Sequence, residues 1–433
     1  MPMSHKNSQS DVKIFRHTAC ELVHLRTNWL FDSQNVNLDM RHAWVSVSKL
    51  IFKEVRMHDL ILQPGNDKLK KYYRRAFENC TELVVVSAYL TEWDSKLKLS
   101  EKCKYFKIIV GKDFGITRKS ACEAVLSWLP SNRKSDFLVV EHAGGFHPKA
   151  VFWREVGGDC FCIVGSSNLT VAAFDANFEV NGFSPLSNTD YEAAKKWVEQ
   201  IKQKSVVVCE DWLARYKEAP RNPSGRGGRG TREQKPTISL KLPKPAQTAA
   251  KVQLRRKKLK AFSKQKSGLL ELFNNCATGI ISSSDFYDTL PMFWSYEKDN
   301  RLQGEGWNIK GKASDFGLLS KCFLSVKNAT PSHQDDAVRV AIDTLQKAKV
   351  PSRKAFLSEM LCLFWPEKYP LLNAPVMQYL RAIKFRPPKK ASEGAAYIAL
   401  AVTLRRSLLE NPNHPAKNLA ELDQAIWLKY GKK

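Results

Sequence analysis

The residues of this chain best suited to chemistry lie close together between residues 146 and 182. His147 and Lys149 stand just before one apolar run, and Gly165-Ser166-Ser167-Asn168 follows the next, with Glu179 further on. Both apolar runs are typical of short strands. Because side chains at i and i+2 share a face of a strand, His147 and Lys149 are expected to point the same way. An imidazole, an ammonium, a hydroxyl and an amide on neighbouring strands suit a phosphate ester as substrate.

Each of these side chains has a predicted role. The His147 imidazole could act as nucleophile or general acid near neutral pH. Lys149 and Asn168 would hold the non-bridging oxygens of a phosphate as their charge grows in the transition state. Glu179 could accept a hydrogen bond from the other ring nitrogen of the histidine, and Ser166 is presented by the same turn as Asn168.

No set of clustered carboxylates accompanies these residues in the sequence. Metal-assisted hydrolysis usually relies on such clusters, so we expect neither a metal ion nor another cofactor.

The two motifs resemble the active-site signature of the phospholipase D superfamily, which reads H-x-K, a spacer, then G-S-x-N. His147-Pro148-Lys149 matches the first part and Gly165-Ser166-Ser167-Asn168 the second. The resemblance extends over about residues 40–210. It implies a phosphodiesterase that forms a phosphohistidine without a metal ion, in a site where two such motifs meet.

One departure from this pattern bears on the substrate. Many members carry an Asp five residues after the Lys, where this chain has Arg154. The chain is in this respect similar to the DNA-acting branch, which includes tyrosyl-DNA phosphodiesterases and metal-independent restriction endonucleases, with a Glu where Glu179 stands. The resemblance thus implies cleavage of DNA in bacterial restriction or phage defence.

The chain contains only half of such a site. Of its nine histidines, His147 alone begins an H-x-K triplet. We therefore expect a homodimer in which each protomer contributes His147 to a shared site.

The overall charge indicates a polyanionic partner. Sixty-nine Lys and Arg residues against 43 Asp and Glu leave a net charge of +26, which favours nucleic acid, with DNA preferred over RNA.

The polar N-terminus and the lack of a long apolar run predict a cytoplasmic protein without a membrane span. Ten scattered cysteines without metal-site spacing are typical of reduced thiols.

Strand and helix patterns alternate up to about residue 217, which predicts an α/β fold with a mixed sheet sandwiched by helices. The predicted organisation is an N-terminal extension (1–39), a catalytic domain (40–217), a basic disordered linker (218–266) and an all-α C-terminal domain (267–433). Between Arg221 and Lys266 fifteen Lys and Arg residues accompany one acid. Nonspecific nucleic-acid contacts are predicted for six of them, namely Arg226, Arg229, Arg255, Arg256, Lys257 and Lys258.

Several alternatives stay open at this level. The chain could be a lipid-active phospholipase D-type phosphodiesterase, or a nucleic-acid-binding protein that keeps the fold without catalysis. Ser166 and Ser167 could simply cap the helix expected to begin near Thr170. Phe152 and Trp153 are interpreted as core residues rather than as platforms for stacked bases.

Overall fold

The computed structural model describes residues 59–141, 143–220, 236–303 and 311–431. The predicted N-terminal extension, residues 1–39, and the predicted start of the catalytic domain lie outside this part of the chain. The strands within it are β1 (Asp59–Gln63), β2 (Cys80–Ser87), β3 (Tyr105–Val110), β4 (Phe137–Val140), β5 (Lys149–Glu155), β6 (Cys160–Gly165), β7 (Glu179–Leu186) and β8 (Ser205–Val207).

The helices among the described residues up to 220 are α1 (Lys68–Asn79), α2 (Lys119–Trp128), α3 (Val171–Asp175), α4 (Asn188–Gln203) and α5 (Glu210–Arg215). Those that follow are α6 (Thr248–Thr278), α7 (Ser283–Thr289), α8 (Phe316–Asn328), α9 (Gln334–Lys347), α10 (Ala355–Phe364), α11 (Ala374–Ala382), α12 (Glu393–Leu409) and α13 (Leu419–Tyr430). Short 3-10 turns occur at Asp113–Gly115, Ser131–Asp136, Leu290–Met292 and Pro351–Arg353.

The strands form one mixed sheet in the order β1-β7-β6-β5-β2-β3-β4-β8. The neighbours β2, β3 and β4 run parallel, and every other neighbouring pair is antiparallel. The predicted fold class, an α/β sheet between helices followed by an all-α region, is therefore confirmed.

Alternate residues of β2 show how both faces of the sheet are covered. Leu83 and Val85 point into a core that includes Phe77 of α1. Val84 and Val86 point into a second core on the other face, which includes Val198 of α4. A strand buried on both faces requires a continuous apolar run, which is what the sequence has here.

The helical region is fused to the sheet by a shared core. Tyr379 of α11, Leu404 of α12 and Leu422 of α13 pack in the same apolar cluster as Trp212 of α5. A further cluster, which includes Phe273 and its stacked partner Phe323 at 4.4 Å, belongs to the helices alone. Packing is thus continuous across the boundary predicted at residue 267.

The predicted disordered linker, residues 218–266, differs from the structure in its second half. α6 begins at Thr248, inside that segment, and runs to Thr278. Val252, Phe262 and Leu269 are buried at helical spacing along one side of it. Lys and Arg are good helix formers, so a basic segment can be helical. The prediction of disorder was based on the charge of the segment and overlooked its sparse apolar stripe.

The chain on both sides of residues 221–235 is held at the edge of the sheet where β3 and β4 end. Before this segment, the Ala219 N–H donates to the Gly115 carbonyl at 2.9 Å. After it, the Thr237 N–H donates to Glu141 Oε2 at 2.7 Å. Residues 221–235 lie outside the described part, and the described residues on either side of them contact the α/β body.

The contact of Thr237 with Glu141 includes a buried ion pair. Lys112 Nζ lies 2.7 Å from Glu141 Oε2, and both side chains are almost fully buried. Lys112 also donates to Thr237 Oγ1 at 3.0 Å, and the Trp212 indole N–H donates to Glu141 Oε1. Such a pair is costly to break because the remaining charge stays in a low dielectric.

We expect Lys112→Met to lower the free energy of unfolding by about 3–5 kcal/mol, because it leaves the Glu141 carboxylate buried without its cation. Urea unfolding followed by circular dichroism measures the change. The matched control is Lys71→Met at an exposed position of α1, with an effect below about 0.5 kcal/mol. Equal effects of the two substitutions would contradict the stabilising role of the Lys112–Glu141 ion pair.

Candidate active site

The strand register brings the predicted site residues to one edge of the sheet. Lys149, the first residue of β5, pairs with Ser87, the last residue of β2. Gly165, the last residue of β6, pairs with Asn181 near the start of β7. Because β5 begins, β6 ends and β7 begins at this edge, their polar ends lie side by side.

Close backbone contact explains why a glycine opens the Gly165-Ser166-Ser167-Asn168 turn. A Cβ atom at Gly165 would lie 2.3 Å from Asn181 Oδ1 and 2.4 Å from the Val180 carbonyl oxygen. No side chain fits there without moving the neighbouring strand.

The loop before His147 is held by two contacts. Phe146 is buried in the core on the α4 face of the sheet. The Gly145 N–H donates to Asp113 Oδ2 at 2.9 Å. These contacts fix the backbone from which the imidazole projects.

His147 and Lys149 lie together, as their spacing predicts. Lys149 Nζ is 3.1 Å from His147 Nδ1 and 3.3 Å from Nε2. Partial burial lowers the pKa of His147 below 6.5, and the positive charge of Lys149 lowers it further. Burial also lowers the pKa of Lys149, while the carboxylate of Glu179 opposes this change. The imidazole is therefore biased toward its neutral, nucleophilic form.

The orientation of the Asn168 amide follows from its hydrogen bonds. Asn168 Oδ1 accepts from the Tyr89 N–H at 3.2 Å and from Ser87 Oγ at 3.4 Å. Since a backbone N–H can only donate, the atom facing it must be the amide oxygen. The Nδ2 group, which has no partner among the described residues, is left to donate to a ligand.

Glu179 and Ser166 form a second polar cluster at the start of β7. The Ser166 hydroxyl donates to Glu179 Oε2, and Asn177 Nδ2 donates to Oε1 at 3.1 Å. Within the described residues no hydrogen bond joins Glu179 to His147, the contact predicted from the sequence. The reason is the strand order, which places β6 between β5 and β7.

The alternative role of Ser166 and Ser167 as helix caps is wrong. α3 begins at Val171, and its cap is Thr170, whose side chain accepts from the Ala173 N–H. Ser167 is instead buried, and its hydroxyl accepts from Asn181 Nδ2 at 2.8 Å. This bond ties the turn to β7.

Three residues of the site were not predicted. The ring of Tyr89 packs edge-on against His147 at 5.7 Å, and Ser87 Oγ accepts from the Leu169 N–H at 3.1 Å. Gln63, the register partner of Glu179, is only 4% exposed, and neither end of its amide has a partner within the described residues. The sequence signal was slight, since Gln63 and Tyr89 each lie far from the two motifs along the chain.

A shallow groove of about 590 Å³ opens beside His147 and Lys149. Phe152 of β5 and Trp197 of α4 line it, with their rings 6.3 Å apart and edge to face. The prediction that both aromatic residues of β5 are core residues is therefore right for Trp153, which is fully buried, and wrong for Phe152. Adjacent strand residues point to opposite faces, which accounts for the difference.

Arg154, at the position of the superfamily Asp, points away from the site. Its guanidinium lies 3.0 Å from Glu192 and 3.8 Å from Glu82, on the side of the sheet covered by α4. Its charge is used in structural ion pairs.

The six predicted nucleic-acid contacts fall into three groups. Arg226 and Arg229 lie outside the described residues. Arg255 is buried with its guanidinium 2.8 Å from Asp423, so it is not a surface contact and this prediction is corrected. Three of the predicted residues are accessible on α6: Arg256, which is paired with Glu421, Lys258, which is paired with Asp299, and the exposed Lys257.

The described residues hold neither a metal-ion cluster nor a membrane-spanning helix. They contain no group of three or more His, Cys, Asp or Glu side chains placed to hold a metal ion. None of their helices has the length and apolar character needed to cross a bilayer.

Neither a protein-family model nor a curated protein matches the chain. Among solved structures it is similar to the phospholipase D family member Nuc from Salmonella typhimurium, with 16% identity and a TM-score of 0.28 over 35% of this chain and 96% of that chain. It is similar to yeast tyrosyl-DNA phosphodiesterase 1, with 15% identity and a TM-score of 0.22 over 30% of this chain and 32% of that one. It is also similar to a phosphatidylserine synthase from Haemophilus influenzae, with 14% identity and a TM-score of 0.26 over 39% of this chain and 43% of that one.

Proposed function

We propose that the chain is a phosphodiesterase that cleaves DNA through a phosphohistidine at His147, without a metal ion, in bacterial restriction or phage defence. The observation that carries the proposal is the His147–Lys149 pair at 3.1 Å beside the free amide group of Asn168. A neutral imidazole with two donors for phosphate oxygens is a complete set for nucleophilic attack on a phosphodiester.

The proposed reaction has two steps. The imidazole nitrogen of one His147 bonds to phosphorus while the bond from phosphorus to the leaving oxygen breaks, and a second imidazolium gives its proton to that oxygen. Water then attacks the phosphohistidine and passes its proton to the second imidazole. This releases a phosphate monoester and regenerates the histidine. Lys149 and Asn168 hold the non-bridging oxygens throughout.

We propose that the second imidazole is His147 of a second protomer. An exposed apolar face on the sheet supports such a dimer. Leu60, Leu62, Val164 and Val180 are each at least half exposed. The register pairs Leu62 with Val180, and Gly182 with both Leu60 and Val164, so the four side chains share one face of the sheet. Val164 also lines the groove beside His147 and Lys149, so this face adjoins the site. Contiguous exposed apolar surface is typical of protein interfaces.

DNA is proposed as the substrate on the basis of charge. The net charge of +26 favours a polyanion. Ala219 and Thr237, which flank residues 221–235, are hydrogen-bonded at the carboxyl ends of β3 and β4, the same edge of the sheet as the site. We propose that Arg226 and Arg229 of that segment, with Lys257 on α6, contact phosphates without reading sequence.

Cleavage of labelled single- and double-stranded DNA and RNA in EDTA tests the central proposal. We expect activity on DNA to persist in EDTA and to fall by at least about three orders of magnitude in His147→Ala, because the nucleophile is lost. His333→Ala is the control, since that imidazole packs against Tyr105 at the opposite ends of the strands. A covalent adduct that joins His147 through phosphorus to one DNA fragment is expected in wild-type reactions quenched with denaturant at alkaline pH, where the bond from nitrogen to phosphorus is stable.

Three outcomes would contradict this proposal. Activity that disappears in EDTA would overturn the metal-free mechanism. Cleavage unchanged in His147→Ala would show that the site does not act. Turnover of phospholipid vesicles without cleavage of nucleic acid would favour the lipid-active alternative.

The pKa of His147 gives a prediction for pH. Nucleophilic attack needs the unprotonated ring, so the single-turnover rate should fall as the pH drops through a pKa that lies below 6.5. NMR titration of labelled histidine measures this pKa directly. We expect Lys149→Met to move it upward, because one of the two causes of the depression is removed, whereas Lys71→Met should leave it unchanged. A His147 pKa at or above 6.5 in the wild-type protein would contradict the geometry.

The shared site is tested by dissociating and reassociating wild-type chains with an equal amount of His147→Ala chains. Random pairing leaves about one quarter of the dimers with two imidazoles, so activity should fall to about one quarter rather than one half. Val180→Asp should give inactive monomers in sedimentation. Val340→Asp on α9 is the matched control, since the two valines are 55% and 52% exposed. A wild-type monomer that still cleaves would overturn the dimer.

A further inference from the structure

A cavity of about 380 Å³ lies between the sheet and the helical region. Its walls include Leu138 of β4, Lys202 of α4, Asp335 of α9 and Arg405 of α12. It shares no lining residue with the groove at His147. The proposed phosphodiesterase reaction makes no use of this cavity.

The four carboxylates that line the cavity are already paired. Asp136 and Asp336 both bind Lys107, at 2.6 and 3.0 Å. Asp335 lies 2.9 Å from Arg405, and the Tyr369 hydroxyl donates to it at 2.9 Å. Burial raises the pKa of Asp335, but its cationic neighbours, Arg405 first among them, outweigh this effect and hold that pKa at about 2.

Glu199, the fourth carboxylate, lies 2.8 Å from Lys202 Nζ, which also donates to the Ser332 carbonyl at 3.4 Å. The Tyr105 hydroxyl donates to the same carboxylate at 3.1 Å. None of the four acids is therefore left to attract an external cation.

The cations that line the cavity outnumber these acids by one. They are Lys107, Lys202, Lys368, Arg405 and Arg406. Lys368 is the one whose partner is neutral, since its ammonium donates to the Gln334 amide oxygen at 2.8 Å. Within the described residues no carboxylate lies in ion-pair distance of Lys368.

Burial makes this charge costly. It lowers the pKa of Lys368, and the nearby charges of Arg405 and Lys202 lower it further against the opposing effect of Asp335 and Glu199. This ammonium is half-buried and only partly neutralised, so an anion that binds beside it would stabilise its charge.

Part of the cavity lining is apolar. It consists of Leu138, Ile398, Val402 and Leu409. A volume of about 380 Å³ falls within the range of sites for small organic ligands. A lining that holds both charged and apolar side chains favours a ligand with a phosphate on a ring or short chain.

We propose that this cavity binds a small phosphate monoester, with its phosphate at Lys368 and Lys202 and its organic part against Val402 and Leu409. Both the α/β body and the helical region contribute walls, so the bound ligand would stabilise the two together. Ligand binding to the folded chain raises its melting temperature by mass action.

Titration calorimetry with adenosine 5′-monophosphate and with inorganic phosphate tests the proposal. Phosphate could also bind at the candidate active site, so all measurements are made on the full chain carrying Lys149→Met. We expect saturable binding with one site per chain, a higher melting temperature, and tighter binding of the nucleotide than of phosphate. Lys368→Met should weaken binding by about 10- to 100-fold through the loss of one charge-assisted hydrogen bond.

Lys321→Met at an exposed position of α8 is the matched control and should bind as the parent does. Val402→Phe fills the cavity while keeping every charge, and it should abolish binding. This variant decides the question if Lys368→Met does not fold.

Two results would overturn the proposal. One is the absence of binding at about 10 mM of either compound. The other is unchanged affinity in folded Lys368→Met or Val402→Phe protein. Neither result bears on the proposed phosphodiesterase, whose test is cleavage dependent on His147.

Discussion

The antiparallel register of β5, β6 and β7 is the constraint on which the candidate site depends. It places the start of β5, the end of β6 and the start of β7 at one edge of the sheet, where β2 also ends. Side chains alternate between the two faces along a strand, so one residue of slippage would turn every side chain of that strand to the other face. The bond between Ser167 and Asn181 and the close fit at Gly165 oppose such slippage.

This dependence explains which parts of the site the sequence could predict. The contact between His147 and Lys149 is local, because it needs only the two-residue period of a strand. The partners of Asn168 and Glu179 depend on which strands are neighbours, and β1, which carries Gln63, precedes the two motifs by a long stretch of chain. The strand order separates Glu179 from His147 by β6, and no spacing along the chain reveals that.

The same distinction applies to the fold. The α/β alternation up to about residue 217 and the all-α character of the C-terminal region follow from hydrophobic periodicity, and the structure has both. The segment 248–266 was misjudged because its charge concealed an apolar stripe. Arg255 shows the physical difference: in a basic run it looks like a phosphate contact, but Asp423 pairs with it inside the helical region. Arg255 is therefore a structural residue, because its buried partner Asp423 lies far from it along the chain and could not be identified from the local sequence.

Charge pairing also links the two regions that the sequence suggests are separate. Lys107 of β3 binds Asp136 beside the sheet and Asp336 of α9, and Arg339 lies 3.1 Å from the same carboxylate. Each of these side chains is buried, so a helical region moved away from the sheet would leave charges unpaired in a low dielectric. The helical region is therefore held in a fixed position on the α/β body. Lys368 lines the same junction, and its partner among the described residues is the neutral Gln334, so this is the place where we propose that an external anion completes the charge balance.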